Sequence, residues 1–272
     1  MNPFFSIVIA NFNQGSFIEQ AIQSVIKQDL NNYELIIIDG NSVDNSVDII
    51  KKYDNYISWW VSEKDSGQSN AFNKGFSHAR GLFYLWLNAD DLLLPDTLNN
   101  AYRYITKHPS CKWLAGDTIF FDQDQNILRC SRSLPYNRFL CKYGSLSIGG
   151  PTSFFHRDLF NEAGGFEESY HYAMDTDLWL TFIKNGHTYK RLNHHCWGFR
   201  IHENSKTSHK FSAKERPKDE IIEGIHIRKK HNRELYQWVD RLQRLFKLFG
   251  GYYFRSYIKT EKWKGKSIVN YK

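Results

Sequence analysis

The 272-residue sequence contains few cysteines and no long hydrophobic run. The cysteines are far apart, which excludes a zinc site built on cysteine pairs and predicts buried free thiols; they are Cys111, Cys130, Cys141 and Cys196. Because no stretch of about 18 consecutive apolar residues occurs, a membrane-spanning helix is excluded as well. The first residues enter a strand-like run without a signal-peptide pattern, so we expect a cytoplasmic protein.

Glycine-rich nucleotide-binding fingerprints are also absent. The first apolar run is not followed by G-x-G-x-x-G, and no G-x-x-x-x-G-K-[ST] segment occurs in the chain. A nicotinamide-dependent dehydrogenase and a P-loop NTPase are therefore not expected. Internal repeats and low-complexity linkers are missing too, and hydrophobic residues make up 41% of the chain, which indicates one large folded domain, alone or with an appendage.

Positive charge is concentrated towards the C-terminus. The formal net charge is +7, but residues 211–272 contain sixteen Lys and Arg against seven Asp and Glu, whereas residues 1–210 are slightly acidic. The basic character therefore belongs to the last 62 residues, and it needs an explanation separate from the function of the rest of the chain.

The hydrophobic pattern predicts alternating strands and helices in the first part of the chain. Short apolar runs typical of buried parallel strands occur at 5–10, 34–38, 59–61 and 83–87. Helical spacing of apolar residues lies between them, and Ser16 with Glu19 has the spacing of a capping box. We therefore expect an α/β fold with a mostly parallel sheet flanked by helices.

From about residue 112 the pattern changes. Strands are predicted at 113–121, 127–130 and 197–201, and helices at 158–163 and from about Asp175. Beyond about residue 211 the pattern is helical only, which predicts a C-terminal helical extension.

Polar side chains follow the first four predicted strands. They are Asn11, Asp39, the segment 63–65 and the pair Asp90-Asp91. Because ligands bind beyond the carboxyl ends of strands in open parallel sheets, these residues define a candidate pocket. Carboxylates repel a phosphorylated ligand unless a divalent cation is present, and Mg²⁺ and Mn²⁺ favour oxygen ligands and bridge phosphates.

Six sequence segments are informative as a set, because their order and spacing match a known pattern. They are SIVIANFNQGSFIEQAIQSV, ELIIIDGNSVDNSVDII, SEKDSGQSNAFNKG, LWLNADD, GGFEESYHYAMDTDLWL and HENSKTSH, within residues 5–209. Together they resemble glycosyltransferase family 2. The resemblance implies a catalytic domain of GT-A fold at 1–210, with a nucleotide-binding half at about 1–110 and an acceptor half at about 111–210. Residues 211–272 would then form a basic, aromatic extension.

The resemblance also implies roles in binding the donor. Asp39 corresponds to the family aspartate that hydrogen-bonds the nucleobase, with Asn11 in the same pocket, and Asp65 lies in the segment that closes over the nucleoside. Asn73 matches a recurrent family asparagine. Structural alternatives are a turn residue for Asp39, a loop carboxylate or helix cap for Asp65, and helix packing for Asn73.

The segment Asn88-Ala89-Asp90-Asp91 corresponds to the family's D-x-D region. Asp90 would hold Mn²⁺ or Mg²⁺ against the diphosphate, and His202 matches a histidine that can reach the metal, with a structural histidine as the alternative. Asn88 replaces the first acidic residue of the motif, and its amide can bond a ribose hydroxyl or bind weakly to the metal. Asp91 is a candidate cap for the segment that follows it.

The segment Met174-Asp175-Thr176-Asp177 corresponds to the family's E-D-x-D. Asp175 takes the position of the general base, which accepts the proton of the acceptor hydroxyl. Met174 replaces the usual Glu, which could alter contacts with the acceptor. Acceptor contacts are expected from Gly150, Thr152, Asp177 and Trp179. The alternatives are first-turn residues favoured by the helix dipole for the two aspartates, and core packing for Trp179.

Taken together, the residues and the resemblance predict a metal-dependent, inverting glycosyltransferase. The donor would be a nucleoside-diphosphate sugar, and the acceptor a glycan or lipid-linked glycan in surface polysaccharide, lipopolysaccharide or capsule assembly. The Q-x-x-R-W signature of processive synthases is absent, which favours a single addition. Asn88 and Met174 leave open a non-catalytic module that binds a nucleotide-sugar or glycan. A sugar nucleotidyltransferase is a further alternative, although its glycine-rich loop is missing.

The C-terminal segment combines apolar and basic residues at helical spacing. One face carries Leu235, Trp238, Val239, Leu242, Leu245, Phe246 and Phe249, and the other carries Arg233, Arg241, Arg244 and Lys247. Such a helix can lie on an anionic membrane surface, here the inner face of the cell membrane. The alternative is a helix packed on the catalytic domain with a solvated basic face. Because no recognition module for nucleic acid occurs, a nucleic-acid partner is not expected.

Overall fold

A computed structural model describes residues 2–203, 205–206 and 215–271. The predicted boundary at residue 210 and part of the segment HENSKTSH (residue 204 and residues 207–209) lie outside the described residues. The described strands are β1 (Phe5–Asn11), β2 (Tyr33–Asp39), β3 (Trp59–Ser62), β4 (Phe83–Asn88), β5 (Leu92–Leu93), β6 (Trp113–Asp122), β7 (Ile127–Ser131), β8 (Ser153–His156) and β9 (Lys190–Ile201).

The described helices alternate with these strands and then continue alone. They are α1 (Ile18–Ile26), α2 (Ser46–Lys52), α3 (Gln68–Ser77), α4 (Thr97–Lys107), α5 (Arg138–Tyr143), α6 (Arg157–Ala163), α7 (Met174–Lys184), α8 (Lys218–Lys230), α9 (Gln237–Phe249) and α10 (Tyr252–Trp263). No described helix combines the length and the apolar character that a membrane span requires.

The nine described strands form one sheet in the order β3-β2-β1-β4-β8-β6-β9-β5, with β7 paired to β6. The strands β3, β2, β1 and β4 are parallel, which confirms the fold predicted for the first part of the chain. β8 runs antiparallel to both β4 and β6, and so joins the parallel half to a mixed half in which β6 and β9 are parallel. The sheet therefore continues across residue 110, where the sequence predicts that the nucleotide and acceptor halves meet.

Both faces of the parallel half are buried because apolar side chains point alternately to each side. Ile7 and Ile9 of β1 pack in a cluster with α1, whereas Val8 belongs to a second cluster with α3 and α7. In that second cluster Trp179 lies between Trp86 and Trp113, at ring-centroid distances of 5.4 and 5.0 Å. This stack fixes α7 against β4 and β6.

The start of α1 differs from its prediction. The helix begins at Ile18 without a side-chain cap, so the predicted capping box of Ser16 and Glu19 is wrong. Glu19 Oε1 instead accepts a hydrogen bond from the Tyr53 hydroxyl at 2.9 Å, which links α1 to the end of α2. The strands β5 and β8 were not predicted, because with two and four residues they are too short to show a period-two pattern.

The C-terminal segment is joined to the sheet by backbone hydrogen bonds. Residues 264–268 run beside β7, where the Ile127 N–H donates to the Lys266 carbonyl at 2.9 Å. Ile268 and Tyr271 then complete a third apolar cluster with side chains of β6 and β7. The described part of the extension is therefore integrated into the core of the fold.

A buried carboxylate joins α8 to α7. Asp177 is 4% exposed; its Oδ2 accepts a hydrogen bond from Lys230 Nζ at 2.8 Å, and its Oδ1 accepts one from His231 Nε2 at 2.7 Å. Burial acts to raise the pKa of Asp177, but the hydrogen bonds and charges of His231 and Lys230 outweigh it and hold this pKa below its ordinary value. The ionised form of Asp177 therefore stabilises the fold.

Replacing Asp177 by Asn should lower the free energy of unfolding by about 1–3 kcal/mol near neutral pH, because hydrogen bonds to a charged acceptor are lost. Since the folded-state pKa is depressed, this stabilisation is present above the unfolded-state pKa and disappears as the pH falls through the folded-state pKa. Urea unfolding of both proteins from about pH 6 down to about pH 3 measures the difference. The exposed Asp219→Asn on α8 is the control. A difference that stays constant in acid would contradict the ionised role of Asp177.

Candidate functional site

Asp39 lies at the carboxyl end of β2, in register with Asn11 of β1 and Ser62 of β3. The residue is completely buried. Its Oδ1 accepts hydrogen bonds from Asn11 Nδ2 at 2.6 Å and Ser42 Oγ at 2.5 Å, and its Oδ2 accepts one from Ser62 Oγ at 2.6 Å. Neutral donors thus hold this carboxylate at the edge of the sheet. Beside it, Asn11 Oδ1 is buried without a hydrogen-bond donor among the described residues.

Phe12, which the sequence analysis did not single out, supplies an exposed aromatic ring next to this carboxylate. It follows β1 directly and is 60% exposed. A Cβ on Gly40 would lie 3.2 Å from Phe12 Cδ2 and 2.9 Å from Asp65 Oδ2, so the ring and the second carboxylate flank the same glycine. Asp65 Oδ1 accepts the Gly67 N–H at 2.9 Å. A ring beside hydrogen-bond acceptors suits a planar heterocycle with N–H donors, and an aromatic residue directly after a strand was the available signal.

Asp90 and His202, the two residues assigned to a metal, lie together at the end of β4. Asp90 Oδ2 is 3.0 Å from His202 Nε2, and the Asp90 side chain is 21% exposed while that of His202 is 5% exposed. Within the described ranges, no three His, Cys, Asp or Glu side chains surround a common point. A carboxylate and an imidazole are side chains that can bind a divalent cation, so this pair is the candidate for such a ligand set, and a metal here would need further ligands from outside the protein.

Asn88 and Asp91 belong to the protein's own hydrogen-bond network. Asn88 Nδ2 donates to Asp91 Oδ2 at 2.8 Å, and Asn88 Oδ1 accepts from Gln68 Nε2 at 2.8 Å. Asp91 also accepts the Arg200 N–H at 2.9 Å and so connects β4 to β9, so the expectation that it caps the segment after it is wrong. The Asn88 amide, for its part, links β4 to the start of α3.

Arg200 offsets the negative charge at this strand end. It is 1% exposed, its Nε donates to the Asp90 carbonyl at 2.8 Å, and its guanidinium lies over the Phe17 ring at 4.7 Å. Burial raises the pKa of Asp91 well above its ordinary range, and the charge of Asp90 adds to this effect, against the hydrogen bonds from Arg200 and Asn88. Of the two carboxylates, Asp91 is buried, whereas the side chain of Asp90 is 21% exposed and faces solvent.

Asn73 positions the segment that precedes α7. Its Nδ2 donates to the Phe166 carbonyl at 2.9 Å and to Glu168 Oε1 at 3.1 Å, and its Oδ1 accepts the Phe166 N–H at 2.8 Å. The amide is thereby fully used within the protein. This arrangement favours the packing alternative for Asn73 over a direct contact with a donor.

Asp175 lies in the first turn of α7, beside Gly150. A Cβ on Gly150 would lie 3.3 Å from Asp175 Oδ2 and 2.5 Å from Trp86 Cζ2, so only glycine leaves room at this place. Asp175 Oδ1 accepts the Thr176 N–H at 2.6 Å. The other carboxylate oxygen, Oδ2, is therefore the one directed towards the Gly150 backbone.

The start of α3 connects Asp175 to the end of β4. Gln68, the first residue of α3, bonds Asn88, and the next residue, Ser69, donates from its Oγ to Met174 Sδ at 3.2 Å. The end of β4 and the starts of α3 and α7 are therefore linked, which connects the region of Asp90 with that of Asp175.

Three residues expected to contact the acceptor are engaged inside the protein. Trp179 is 1% exposed within the tryptophan stack, Thr152 is fully buried with its hydroxyl donating to the Gly149 carbonyl at 2.8 Å, and Asp177 binds α8. Because their polar atoms or ring faces already have protein partners, structural roles are favoured for Thr152, Asp177 and Trp179, and their acceptor contacts stay a prediction. Gly150 keeps its place beside Asp175.

Glu223 on α8 is a site residue that the sequence analysis missed. Its buried carboxylate accepts the N–H groups of His171, Tyr172 and Ala173 at 2.7, 2.8 and 3.0 Å. These three N–H groups directly precede α7, so Glu223 fixes the backbone that leads to Asp175. The contact spans about fifty positions along the chain, and no local pattern could have revealed it.

Lys206 approaches the same region from the segment after β9. Its Nζ donates to Gln68 Oε1 at 3.3 Å and to the His171 carbonyl at 3.4 Å, and the carboxylates of Asp90 and Asp65 attract its charge. A cationic group thus lies near two carboxylates at the strand ends. The sequence analysis quoted the HENSKTSH segment but assigned no role to this lysine.

Comparisons with known proteins identify the family of this chain. The family model described as Glycosyl transferase family 2 matches residues 6–164, more than half of the chain. The chain belongs to glycosyltransferase family 2. An uncharacterized glycosyltransferase of Rickettsia typhi is 28% identical over 69% of this chain and 61% of its own length. TuaG of Bacillus subtilis, whose name refers to teichuronic acid biosynthesis, is 26% identical over 78% of this chain and 84% of its own length. This chain thus spans about three fifths of the Rickettsia protein.

Solved structures confirm the GT-A type of fold. TarS of Staphylococcus aureus, in complex with UDP-GlcNAc, superposes with a TM-score of 0.61 at 20% identity, over 76% of this chain and 61% of that one. The mannosyltransferase PcManGT of Pyrobaculum calidifontis, in complex with GDP-Man and Mn²⁺, has a TM-score of 0.58 at 17% identity, over 75% of this chain and 59% of that one. At these identities the likeness shows the fold alone.

Replacing Glu223 by Gln should speed amide hydrogen exchange at residues 171–173 by roughly ten-fold or more, because a neutral amide oxygen accepts N–H groups more weakly than a carboxylate. Exchange measured by mass spectrometry on peptides covering the start of α7 tests this expectation. Glu261→Gln, at an exposed position of α10, removes the same charge and is the matched control. Equal exchange in the two variants would show that the Glu223 carboxylate does not hold this segment.

Proposed function

We propose that this chain transfers a sugar from a nucleoside-diphosphate sugar to an acceptor hydroxyl, with inversion at the anomeric carbon. The observation that carries the proposal is that Asp39, Asp65 and Asp90 lie at or just after the carboxyl ends of the parallel strands β2, β3 and β4, while the start of α3 links the end of β4 to the residue before Asp175. Membership of glycosyltransferase family 2 supports it. So do the nucleotide-sugars in the titles of the similar structures, UDP-GlcNAc with TarS and GDP-Man with PcManGT.

The nucleoside of the donor would occupy the region of Phe12, Asp39 and Asp65. The exposed Phe12 ring offers a stacking face, and Asp65 offers a hydrogen-bond acceptor beside it. Asp39 is completely buried and bonded by Asn11 and Ser62, so a base reaching its carboxylate would have to displace one of these donors. Lys206 would attract the diphosphate towards the end of β4.

Asp90 and His202 are the residues that would hold a divalent cation, Mn²⁺ or Mg²⁺. Bound there, the cation supplies charge neutralisation for the diphosphate as the nucleotide departs. The presence of Mn²⁺ in the PcManGT complex supports this choice, as does the exposure of Asp90 next to a buried imidazole. Arg200 offsets part of the carboxylate charge from inside the protein.

Asp175 would act as the general base. The acceptor oxygen attacks the anomeric carbon on the face opposite the diphosphate, the bond from that carbon to the diphosphate oxygen breaks, and the nucleoside diphosphate leaves. The proton of the acceptor hydroxyl passes to Asp175 Oδ2, the carboxylate oxygen beside Gly150. Glu223 keeps the backbone before Asp175 in place during this transfer.

The acceptor would be a glycan or lipid-linked glycan of a surface polysaccharide, lipopolysaccharide or capsule. TuaG, named for teichuronic acid biosynthesis, supports a role in polysaccharide assembly. The alternatives are a non-catalytic nucleotide-sugar-binding module and a sugar nucleotidyltransferase. The carboxylate of Asp175, at the position of the family's general base, favours transfer over the first, and membership of family 2 opposes the second.

Two variants separate donor binding from chemistry. UDP- and GDP-sugars screened with Mn²⁺ should raise the melting temperature of the wild type, because a ligand that binds only the folded state stabilises it by about 2.7 kcal/mol at a hundred times its Kd. Asp90→Asn should lose the Mn²⁺-dependent part of the shift. Asp175→Asn should keep the shift and lose about 10²–10⁴-fold in transfer rate.

The control is the exposed Asp96→Asn, which removes a nearby charge at a left-handed position that asparagine tolerates. Full transferase activity in Asp175→Asn would remove Asp175 from the base role. Donor binding by the wild type without any turnover would favour the non-catalytic module instead.

The proposal extends to a membrane-facing surface on α9 and α10. The helix α9 buries Val239 and Gln243, which are 0% and 5% exposed, and its Asp240 accepts hydrogen bonds from Ser145. Ten apolar residues of these two helices are exposed, and we name them the aromatic surface: Trp238, Leu242, Leu245, Phe246, Leu248, Phe249, Tyr253, Phe254, Tyr257 and Ile258. Exposed aromatic groups combined with a strongly basic segment are typical of helices that lie on an anionic bilayer.

Vesicle binding tests the aromatic surface. The protein should bind phosphatidylglycerol-containing vesicles more tightly than pure phosphatidylcholine vesicles, and added salt should weaken the binding. The double variant Phe249→Ser and Phe254→Ser should reduce it at least about ten-fold, since each buried phenylalanine side chain contributes roughly 1.5–3 kcal/mol. Point variants are preferable to truncation at 211, because residues 268 and 271 belong to the core.

The control is Val43→Ser, at a position that is 89% exposed and far along the chain from these helices. Equal binding to neutral and anionic vesicles, or binding that the double variant does not change, would contradict a membrane role for α9 and α10.

A further inference from the structure

Two segments of the candidate site are neighbours beside α3. The first, 63–67, contains Asp65 and leads into α3, and we name it the donor loop. The second, 166–173, leads into α7 and the candidate base, and we name it the base segment. A Cβ on Gly67 would lie 3.5 Å from His171 Nδ1, so the two segments lie close together.

Glu168 of the base segment bonds both the donor loop and α3. Its Oε2 accepts hydrogen bonds from Ser66 Oγ at 3.3 Å and from Asn70 Nδ2 at 2.9 Å. Its Oε1 accepts one from Asn73 Nδ2 at 3.1 Å. Ser66 directly follows Asp65 in the donor loop, whereas both asparagines belong to α3. A single carboxylate therefore ties together two segments that are about a hundred positions apart in the chain.

The ionised form of Glu168 suits these contacts, because a carboxylate offers acceptors on both of its oxygens. Side-chain hydrogen bonds, that of Asn73 first, hold the pKa of Glu168 below its ordinary value against the effect of burial. The charge of Lys74 on α3 acts in the same direction. Lys74 Nζ also pairs with Glu63 Oε1 of the donor loop at 2.7 Å. The lysine thereby adds an electrostatic link between the same two segments.

The base segment is held firmly between Glu168 and Asp175. Ser69 Oγ donates to the Tyr170 carbonyl at 3.0 Å, and the buried Glu223 carboxylate accepts the next three N–H groups. Only a few residues, most of them bonded to α3 or α8, separate Glu168 from Asp175. A displacement of the backbone at Glu168 is therefore passed on to the start of α7.

The bonds of Glu168 differ from those of Glu223 in their exposure to solvent. Glu223 is 7% exposed, whereas Glu168 is classed with the exposed residues of the surface. Water competes for exposed hydrogen bonds, so they open more readily than buried ones. A ligand that orders the donor loop therefore stabilises the bond from Ser66 to Glu168, while the bonds of Glu223 persist with or without it.

We propose that Glu168 is a positioning residue through which occupancy of the donor loop sets the place of the base segment. A nucleoside held at Asp65 orders the donor loop, the bond from Ser66 to Glu168 passes this order on, and Asp175 is then fixed for the acceptor. The inference rests on the proposed function and adds a coupling between its two substrates, since the base is in place when the donor is bound.

Amide hydrogen exchange of the full chain without ligand tests the link itself. Glu168→Ala removes the acceptor of three hydrogen bonds at an exposed position, so it should leave the fold intact and speed exchange in both the donor loop and the base segment about three-fold or more. The matched control is Glu167→Ala, the neighbouring exposed residue, whose carboxylate bonds Ser169 within the same segment. It should leave the donor loop unchanged.

UDP and GDP, each with Mn²⁺, are the probes of the coupling. The nucleotide that slows exchange in the donor loop of the wild type should also slow it in the base segment, by about three-fold or more. Glu168→Ala should keep the first effect and lose the second. Ser66→Ala should do the same, and it should add nothing in the Glu168→Ala background, because both changes remove one shared bond.

The outcomes separate the coupling from the proposed function. Faster exchange in only one of the two segments, or an equal effect of Glu167→Ala on the donor loop, would refute the link through Glu168. Nucleotide protection that stays within the donor loop of the wild type, or that reaches the base segment of Glu168→Ala, would refute the coupling and leave the donor site standing. If neither nucleotide protects any segment while Glu168→Ala still opens both, the proposed function loses support and the link stands.

Discussion

The packing of α8 against α7 is the interaction on which the candidate site depends. Two buried carboxylates form it in opposite directions: Glu223 extends from α8 to three N–H groups before α7, and Asp177 extends from α7 to the end of α8. Asp175 lies between these two contacts in the chain. Its backbone is therefore fixed on both sides by a helix that the sequence assigns to an extension, and the extension is part of the framework of the site.

A second constraint is the amount of negative charge that one edge of a sheet can carry. Each carboxylate has a different environment. Asp39 is surrounded by neutral hydrogen-bond donors. Asp91 is buried with a raised pKa, and Asp90 faces solvent beside His202. The buried Arg200 adds a compensating charge from within. Of these three carboxylates, Asp90 is the one whose side chain reaches solvent.

The sequence predicted the features that depend on local pattern. Apolar runs such as 5–10 identified the parallel strands, and because parallel strands end at a common edge, Asn11 and Asp39 could be expected to be neighbours, as they are. Contacts between segments that are distant in the chain could not be predicted from local sequence patterns. Glu223 meets α7 across about fifty positions, and β8 joins the sheet with only four residues.

Side-chain direction was equally hard to predict. An apolar stripe predicts a helix, but not which face meets the protein; α9 buries Val239 and Gln243 and turns Phe249 outwards. The sequence does not distinguish a tryptophan buried in a core from one that binds sugar on a surface. Trp179 is stacked in the core. Phe12 is the opposite case, an aromatic side chain that is exposed beside Gly40, which only the structure shows.

The pairing of residues 264–268 with β7 has a consequence for how the protein is made. Because Ile268 and Tyr271 complete the cluster against β6 and β7, that edge of the sheet cannot close until residue 271 has left the ribosome. The strands before it emerge much earlier and must wait with an open edge and uncovered apolar side chains. This part of the sheet therefore completes only after synthesis has passed residue 271, and until then the nascent chain is exposed to misassembly.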